Sequence, residues 1–472
     1  MATKTTERQG YFAGWTPKKE GIIAPDERLP WGQTIFVGLQ HVLAMFGATV
    51  LGPLVMGFDP NTAIFFSGIG TLLFFLIVGG RVPSYLGSSF SFIAVVITAS
   101  AYAPKVFGEH NPNIAVALGG IIAAGVVYAV IGLIVMFTGY KWIEYLMPPV
   151  VTGTVVMVIG LNLSTVAINN ASVSQFDAVM AIVTVLAVAA VAIYAPGALR
   201  RLPILLGGVI GYLIYLLFAN AFGYGTAIKF DSVANAAWVG LPHFTAPTFN
   251  GNAISLIAPV AIILVAENLG HVKAVAAMTG RNLDKYLGRA FLGDGVATIV
   301  SASGGGTGLT TYAENIGVMA VTRIYSTVIF IIAALVAILL GFCPKFGALV
   351  ATIPSGVLGG LTIVLFGLIA ATGGRIWIQN RVDFSKTRNL ITAAVGLTIG
   401  AGMVSVPNHN VNFLLTIGNF SIGGIGVATF SVIILYQLLR ERKPQPEEAV
   451  TADSAVGLDP AAETDVGPET EA

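Results

Sequence analysis

The chain has 472 residues, of which 55% are hydrophobic and only 10% are charged, and its formal net charge is +1. Its mean hydropathy of +0.83 excludes a soluble globular protein and places the chain in a lipid bilayer. Cys343 is the single cysteine, which excludes an intrachain disulfide and a cysteine metal cluster and argues against redox chemistry.

The first 30 residues carry charges but no apolar signal-peptide core, so we expect a cytosolic N-terminal tail over 1–30 and no cleaved leader. A helix that crosses the hydrocarbon needs about 20 apolar residues. Apolar runs of this kind follow at 33–57, 62–79, 113–138, 176–195, 203–222, 321–342, 352–372 and 411–438. With the less regular apolar stretches between them, the sequence predicts an all-α membrane protein of about 14 spans.

Lysine and arginine are unevenly distributed among the predicted loops. If the N-terminus is cytosolic, most of these residues fall in inner loops, and the outer loops keep only Lys105, Lys229 and Lys345. The positive-inside rule then predicts an even number of spans with both termini in the cytosol, in a multi-pass protein of the cell inner membrane. The last residues are rich in Glu, Asp, Ala and Pro, which predicts a disordered acidic tail over 441–472.

Two pairs of residues suggest that one half of the chain repeats the other. Gln40 and Tyr85 lie 45 residues apart, and so do Glu267 and Tyr312. An offset that covers an odd number of spans would give the two halves opposite orientations, as in the inverted repeats of many secondary transporters. Coincidence between the two pairs is the alternative.

Segments 82–99 and 308–323 are too short, or too rich in Gly, Ser and Pro, for regular spanning helices. In each we predict a strand-like stretch followed by a half-helix, in spans 3 and 10. Free backbone N–H groups at this depth are tolerated only inside protein or beside a water-filled cavity. Paired broken segments therefore indicate a substrate site, where helix N-termini suit carbonyl oxygens or anions.

Glu267 and Glu314 stand out because nearly all other acidic residues fall in tails, loops or span ends. A carboxylate at the centre of a membrane helix costs about 2.5–3.5 kcal/mol on insertion scales, so each needs a partner, a proton or a task. His271 follows Glu267 by one helical turn, which predicts a carboxylate–imidazole pair that shares a proton. Alternatively, Glu267 caps a broken helix and His271 satisfies it. Asp294, near a span end, is better explained by a structural hydrogen bond.

Residues 314–323 read ENIGVMAVTR. Their Glu, Asn, Gly, Thr and Arg stand at the fixed positions of a signature, and in this the chain resembles the nucleobase–ascorbate transporter family. Its motifs are most similar to those of the bacterial uracil permeases, from about residue 30 to 440. The stretches that carry this further similarity are 40–41, 44–51, 85–90 and 266–271.

The resemblance implies about 14 spans in a 7+7 inverted repeat. It implies a core domain of spans 1–4 and 8–11, over 31–140 and 251–343, and a gate domain of spans 5–7 and 12–14, over 141–250 and 344–440. It also implies proton symport by alternating access, with protons as the coupling ion and no other cofactor, and commonly a dimer. We expect a small-molecule substrate and a lipid environment as partners, and no nucleic acid.

The resemblance further implies a uracil site between spans 3, 8 and 10. Glu267 and Glu314 would accept hydrogen bonds from the imide N–H groups of uracil, Phe90 would pack on its ring, and His271 would couple protonation to binding. The other implied members are the backbone N–H groups of Tyr312, Ala313 and Glu314, Ala48 across the pocket, and the supporting residues Gln40, His41, Ser89 and Asn315.

Uracil offers two N–H donors and two carbonyl acceptors, which two carboxylates and free half-helix amides complement. Glutamate at position 314 favours uracil over xanthine, hypoxanthine or urate, whose permeases usually carry Gln there. These purines remain the alternative substrates. Ala313 and Asn268 depart from the Gly and His of the uracil permeases, and either could tighten the pocket or shift its preference.

Other function classes fit the sequence less well. A sulfate-permease-like anion carrier would share the architecture, but two buried glutamates make a poor anion site. A channel would not require mid-membrane glutamates beside a histidine. The chain lacks HExxH, a nucleophile elbow, a Walker A loop and a defensible intramembrane Ser/His/Asp set, so we expect neither an enzyme nor a metal site.

Overall fold

The structure is a computed structural model that describes residues 11–12, 14–102, 109–403, 415–417 and 420–440. The tail predicted over 441–472 and Lys105 lie outside the described residues. The helices are α1 Trp31–Met56, α2 Pro60–Val78, α3 Ile93–Ala99, α4 Ile114–Thr138, α5 Lys141–Leu146, α6 Pro149–Ala171, α7 Gln175–Tyr194, α8 Pro203–Leu216, α9 Asp231–Asn235, α10 Gly251–Ile257, α11 Val260–Thr279, α12 Leu287–Ser303, α13 Ala313–Thr322, α14 Val328–Gly341, α15 Pro344–Val350, α16 Ser355–Gln379, α17 Thr387–Gly402 and α18 Gly424–Leu438. The strands are β1 Thr16–Pro17, β2 Glu27–Arg28, β3 Leu86–Ser88, β4 Leu309–Thr311, β5 Leu415–Ile417 and β6 Phe420–Ile422.

Eight helical stretches within the described residues are long and apolar enough to cross a membrane: α1, α2, α4, α6, α7, α8 with its extension to Ala221, α10 with α11, and α16. Together, α14 and α15 pass the same test as a pair bent by 86°. In water such surfaces would aggregate, whereas in a bilayer their internal hydrogen bonds satisfy the backbone. The chain is therefore a helical membrane protein, as its composition predicts.

Local chemistry fixes the ends of these helices. The Asp59 side chain accepts a hydrogen bond from the Thr62 N–H at 2.9 Å and so caps the N-terminus of α2. At the C-terminus of α1, Gly57 adopts a left-handed conformation with a φ of 73°. A Cβ there would lie 2.8 Å from the backbone nitrogen of Asn111. Glycine thus permits both the left-handed turn and the close approach of the segment that precedes α4.

Helix packing repeats between the two halves of the chain. α4 packs on α12 as α14 packs on α2, and α7 packs on α8 as α17 packs on α18. Likewise, α16 packs on α7 as α6 packs on α17. In this correspondence, α2 matches α12, α4 matches α14, α6 matches α16, α7 matches α17 and α8 matches α18. Each contact named above is then repeated between the corresponding helices of the other half. The two halves therefore share one internal arrangement.

The larger helix contacts fall into two groups. The first contains α1, α2, α4, α11, α12 and α14, and the second contains α6, α7, α8, α16, α17 and α18. Glycines bring backbones together within each group. A Cβ on Gly132 would lie 2.4 Å from the Leu292 nitrogen in the first group, and one on Gly160 would lie 2.4 Å from the Phe366 oxygen in the second. Such close contact is how helices associate in lipid.

Strands β3 and β4 pair antiparallel in the first group. Leu86 pairs with Thr311 and Ser88 with Leu309, and every residue of both strands is buried. Each strand satisfies the other's backbone groups, which a buried strand at this depth requires. Each is followed by a short helix, α3 or α13, so the strand and half-helix form predicted for the two broken segments is confirmed.

Residues 14–30, which the sequence assigns to an N-terminal tail, fold against the helices. β1 and β2 pair in parallel within this segment. Ile23 has no exposed surface and forms a parallel bridge with Ile324. The helical bundle thus includes this segment as one of its packed parts.

Candidate functional site

The β3–β4 pair brings together four elements that carry the predicted site residues. It is flanked by hydrogen bonds from the Tyr312 N–H to the Tyr85 carbonyl at 3.0 Å and from the Ser89 N–H to the Gly308 carbonyl at 2.9 Å. After Tyr312, α13 begins, whereas a short helical turn over Phe90–Phe92 separates β3 from α3. Contacts from α1 and α11 also reach this region, so residues far apart in sequence converge at one place.

Glu267 on α11 and Glu314 in the first turn of α13 are partly buried, and their charges interact. Glu267 Oε2 is buried and has no hydrogen-bond partner among the described residues. A buried carboxylate oxygen without a donor is costly, and a second carboxylate nearby adds repulsion. The pair therefore suits a ligand that donates hydrogen bonds, or a proton.

The N-terminus of α13 supplies backbone donors next to these carboxylates. Tyr312 precedes the helix without a side-chain cap, and the first N–H that bonds back is that of Ile316, at 3.3 Å from the Tyr312 oxygen. The N–H of Ala313 thus has no acceptor within the helix, whereas that of Glu314 faces its own carboxylate, and a carbonyl oxygen would suit the Ala313 N–H.

Tyr312 itself is a structural residue in this site. Its N–H donates to the Tyr85 carbonyl, so the prediction that this N–H faces the substrate is wrong. Its hydroxyl donates to the Ser88 carbonyl at 3.0 Å and accepts from the Thr49 hydroxyl at 3.3 Å. A Cβ on Gly87 would lie 2.3 Å from the Tyr312 ring. The ring therefore crosses the strand where glycine leaves room.

Phe90 lies where the two helix groups meet. Its ring packs edge-on against Phe366 of α16, with centroids 5.9 Å apart and an interplanar angle of 76°. The Ser89 hydroxyl caps the turn that Phe90 begins, since it accepts from the Ser91 N–H at 3.3 Å. Ser91 lies beside Glu267, and Ala48 is buried on α1. Sequence reasoning missed Phe366, which continues an apolar run, and Ser91, which is one of several serines in the broken segment 82–99.

His271 is bonded to the strand pair and not to Glu267. Its Nδ1 lies 2.9 Å from the Thr311 hydroxyl oxygen on β4, and Glu267 and His271 do not hydrogen-bond directly. The proton sharing predicted for these two side chains therefore involves no direct hydrogen bond in this arrangement and stays a prediction. Thr311 also donates weakly to Asn268 Oδ1, at 3.5 Å, which links His271 to a second buried group.

That second group is a hydrogen-bonded cluster around Asp294. Asn268 Nδ2 donates to Asp294 Oδ2 at 2.7 Å and lies 2.9 Å from the Tyr128 hydroxyl. Tyr128 in turn lies 3.4 Å from Asp294 Oδ2, and Asp294 has no exposed surface. The structural hydrogen bond predicted for Asp294 is confirmed. Asn268, a departure from the uracil-permease pattern, is the main donor to this carboxyl group.

His41 and Asn315 fasten α13 to α1. Asn315 Nδ2 lies 3.0 Å from His41 Nδ1 and donates to the His41 carbonyl at 3.1 Å. The His41 ring also packs edge-on against Phe330, with centroids 4.8 Å apart. His41 is therefore a packing and hydrogen-bonding residue that supports α13. Gln40 is buried, and its amide nitrogen has no hydrogen-bond partner in the described ranges.

Comparisons with known proteins find relatives over most of the chain. A family model described as "Permease family" matches residues 32–409. The protein named "Putative pyrimidine permease RutG" of Escherichia coli (strain K12) is 59% identical, over 92% of this chain and 96% of that protein. The uracil permease of Bacillus caldolyticus is 40% identical, over 90% and 96%. The uracil permease of Escherichia coli (strain K12) is 37% identical, over 92% and 98%.

Solved structures of transporters share the fold. The transmembrane domain of a cyanobacterium bicarbonate transporter, BicA, aligns with a TM-score of 0.58 and 16% identity, covering 86% of this chain and 96% of that one. The murine anion transporter Slc26a9 in its inward-facing state aligns with a TM-score of 0.59 and 13% identity, covering 86% and 67%. At these identities the likeness concerns the fold alone.

Proposed function

The chain belongs to the nucleobase–ascorbate transporter family, and we propose that within this family it is a permease that imports uracil together with protons. Relatives that match it over nearly their whole length are named as pyrimidine or uracil permeases. This similarity supports a pyrimidine substrate over a purine such as xanthine, the alternative within the family.

One observation carries the proposal: Glu267 presents a buried carboxylate oxygen without a donor near the Glu314 carboxylate. The two imide N–H groups of uracil would donate to these carboxylates. A uracil carbonyl would accept from the free Ala313 N–H at the start of α13, and Phe90 would stack on the ring with Ala48 across the pocket. Carboxylates make charge-assisted hydrogen bonds, which are the stronger kind.

Proton coupling follows from the same pair. Two carboxylates close together in a low-dielectric site repel one another, and a proton on either removes that repulsion. Glu267 would take up the coupling proton, and His271, one turn along α11, would exchange it with the Thr311 side of the site. Uracil binding would exclude water from the site and raise the cost of two like charges there, which favours a proton on Glu267, so that uracil and the proton promote each other's binding.

Alternating access would move the two helix groups against each other. We assign the first group to a core domain over 31–140 and 251–343, and the second to a gate domain over 141–250 and 344–440. Adding the bent α14–α15 pair and the shorter helices α3, α12, α13, α17 and α18 to the eight long stretches gives 14 spans. The repeated packing supports a repeat of two halves, which we propose to be a 7+7 inverted repeat. We further propose that both termini are cytosolic, that the protein lies in the inner membrane and that it forms a homodimer.

Uptake by the purified protein in proteoliposomes tests this function. We expect radiolabelled uracil to accumulate when the outside is acidic, and a protonophore that collapses the gradient to abolish the accumulation. Liposomes without protein are the control. Undiminished concentrative uptake without a gradient would contradict proton coupling, and absence of uracil uptake together with xanthine uptake would contradict the substrate.

A further inference from the structure

The segment 14–30, here called the N-terminal strap, is a small folded unit. Its two ends are joined by β1 and β2, with hydrogen bonds from the Thr16 N–H to the Asp26 carbonyl at 3.0 Å and from the Lys18 N–H to the Arg28 carbonyl at 2.8 Å. Lys18 also pairs with Glu27 at 2.9 Å. The strap thus has a defined shape of its own and can hold other elements in place.

The middle of the strap binds the chain that leaves α13. The Ile23 N–H donates to the Arg323 carbonyl at 3.1 Å, and the Ile23 carbonyl accepts from the Tyr325 N–H at 2.8 Å. Ile23 is fully buried there. Arg323 ends α13 in a left-handed conformation with φ of 57°, which is uncommon for a residue with a side chain. The strap therefore secures a turn that α13 alone favours little.

Further contacts extend this attachment to the start of α14. The Thr327 N–H donates to the Pro25 carbonyl at 3.1 Å, and its hydroxyl donates to the same oxygen at 3.1 Å. The Trp15 indole N–H donates to the Thr327 hydroxyl at 2.9 Å. Hydrogen bonds to the strap therefore attach the connection between α13 and α14 at Arg323, Tyr325 and Thr327.

The same strap also binds the end of α11. Asp26 pairs with Arg281 at 2.5 Å, and Arg281 directly follows Gly280, where α11 ends. Burial acts to raise the pKa of the Asp26 carboxyl, but the hydrogen bond and charge of Arg281 lower it below its usual value. The pair is therefore charged near neutral pH.

We infer that the N-terminal strap is a positioning element of the substrate site, because it fixes the far ends of both helices that carry the site glutamates. Glu267 lies on α11 and Glu314 on α13, a helix of only 10 residues, about 15 Å long. Its N-terminus is held by β4 and its C-terminus by the strap, so releasing the strap lets α13 tilt and changes the separation of the two carboxylates. The effect on substrate rests on the uracil site proposed above.

Two adjacent isoleucines provide a matched pair of variants. Ile23 is fully buried, whereas Ile22 is 53% exposed. Spin labels at the exposed positions Ala277 and Ala320, near the ends of α11 and α13, would report their separation in a Cys343→Ser background. We expect Ile23→Ala to broaden or shift the measured distance distribution and Ile22→Ala to leave it unchanged. Equal distributions in both variants would overturn the inference.

Uracil binding gives the second readout. We expect Ile23→Ala to raise the uracil Kd about fivefold relative to Ile22→Ala, through lost preorganisation, and to alter the ratio of uracil to thymine affinity. Asp26→Arg should act similarly, and the exchanged pair Asp26→Arg with Arg281→Asp should restore the wild-type values. Lower thermal stability with unchanged Kd ratio and spin-label distances would make the strap merely structural. If the wild type bound no uracil, the proposed function would fail, while the distance measurement would still decide the strap's role.

Discussion

At the residue scale, the site depends on the side chains that satisfy its buried carboxyl groups. Glu267 Oε2 has no donor among the described residues, whereas Asp294 Oδ2 accepts from Asn268. Asp294 Oδ1 also has no donor among the described residues, but Asp294 has no exposed surface whereas Glu267 is partly exposed, so only the first carboxylate is placed to receive a ligand. A site of the first kind discriminates strongly, because an analogue that lacks a donor leaves a buried carboxylate unpaired.

Sequence reasoning identifies these residues only in part. The rarity of carboxylates in membrane spans singles out Glu267 and Glu314, and their interaction agrees with that selection. It does not identify Thr311 as the partner of His271, because a threonine in a strand is unremarkable until the fold places it 2.9 Å from the imidazole. Hydrogen-bond partners across elements depend on tertiary packing, which spacing along one helix does not specify.

The Asn268 amide should be worth a measurable amount of stability. Asn268→Leu removes the donor to Asp294 and leaves that carboxyl short of a partner, so we expect a loss of about 1–3 kcal/mol in the free energy of unfolding. Thermal unfolding of the purified protein in detergent measures this loss. Asn252→Ala, at an exposed position on α10, is the control. Equal melting temperatures for the two variants would contradict the role assigned to Asn268.

At the element scale, the β3–β4 pair determines where the short helices begin. The Gly, Ser and Pro interruptions indicate from sequence that the segments 82–99 and 308–323 are broken. The pairing of Leu86 with Thr311 is not predictable in this way, because strands of three residues carry too little pattern to specify a register. The sequence also does not predict the folded strap over 14–30, since its polar composition resembles that of a free tail.

Gly87 should tolerate no side chain. A Cβ on Gly87 would meet the Tyr312 ring at 2.3 Å, so Gly87→Ala must displace either the ring or the strand pair. Overpacking of this kind costs about 1–3 kcal/mol, and we expect both lower thermal stability and weaker uracil binding. Gly251→Ala is the control, because a Cβ there meets nothing within 4 Å. Wild-type stability and uracil binding in Gly87→Ala would show that the Tyr312 ring is not tightly packed against the strand at Gly87.

At the scale of the whole molecule, the site lies where the two helix groups meet. The equal spacing of Gln40 from Tyr85 and of Glu267 from Tyr312 predicts a repeat, and the matching helix contacts in the two halves agree with it. The number of spans, the domain boundaries and the inverted orientation stay predictions. Helix length alone finds eight spanning stretches in the described residues, since broken and short helices fall below any length criterion. The contact between Phe90 and Phe366 joins the groups, and no local pattern predicts it.

Phe366 should therefore affect binding although it belongs to the second group. Phe366→Ala removes an edge-on aromatic contact with Phe90, and such pairs contribute about 0.5–1.5 kcal/mol. We expect the uracil Kd to rise about two- to tenfold. Phe222→Ala, at a residue that is 62% exposed, is the control for loss of an aromatic ring. An unchanged Kd in Phe366→Ala would mean that the second group does not shape the pocket.

Equilibrium binding of radiolabelled uracil to the purified protein, with wild type beside Glu314→Gln and xanthine as competitor, tests the central claim most directly. The substitution keeps the shape of the side chain but removes its charge, and hydrogen bonds to charged groups contribute about 1.5–3 kcal/mol. We predict saturable uracil binding that xanthine does not displace and that Glu314→Gln weakens at least about tenfold. Binding of xanthine without binding of uracil, or equal uracil affinity in both proteins, would contradict the account.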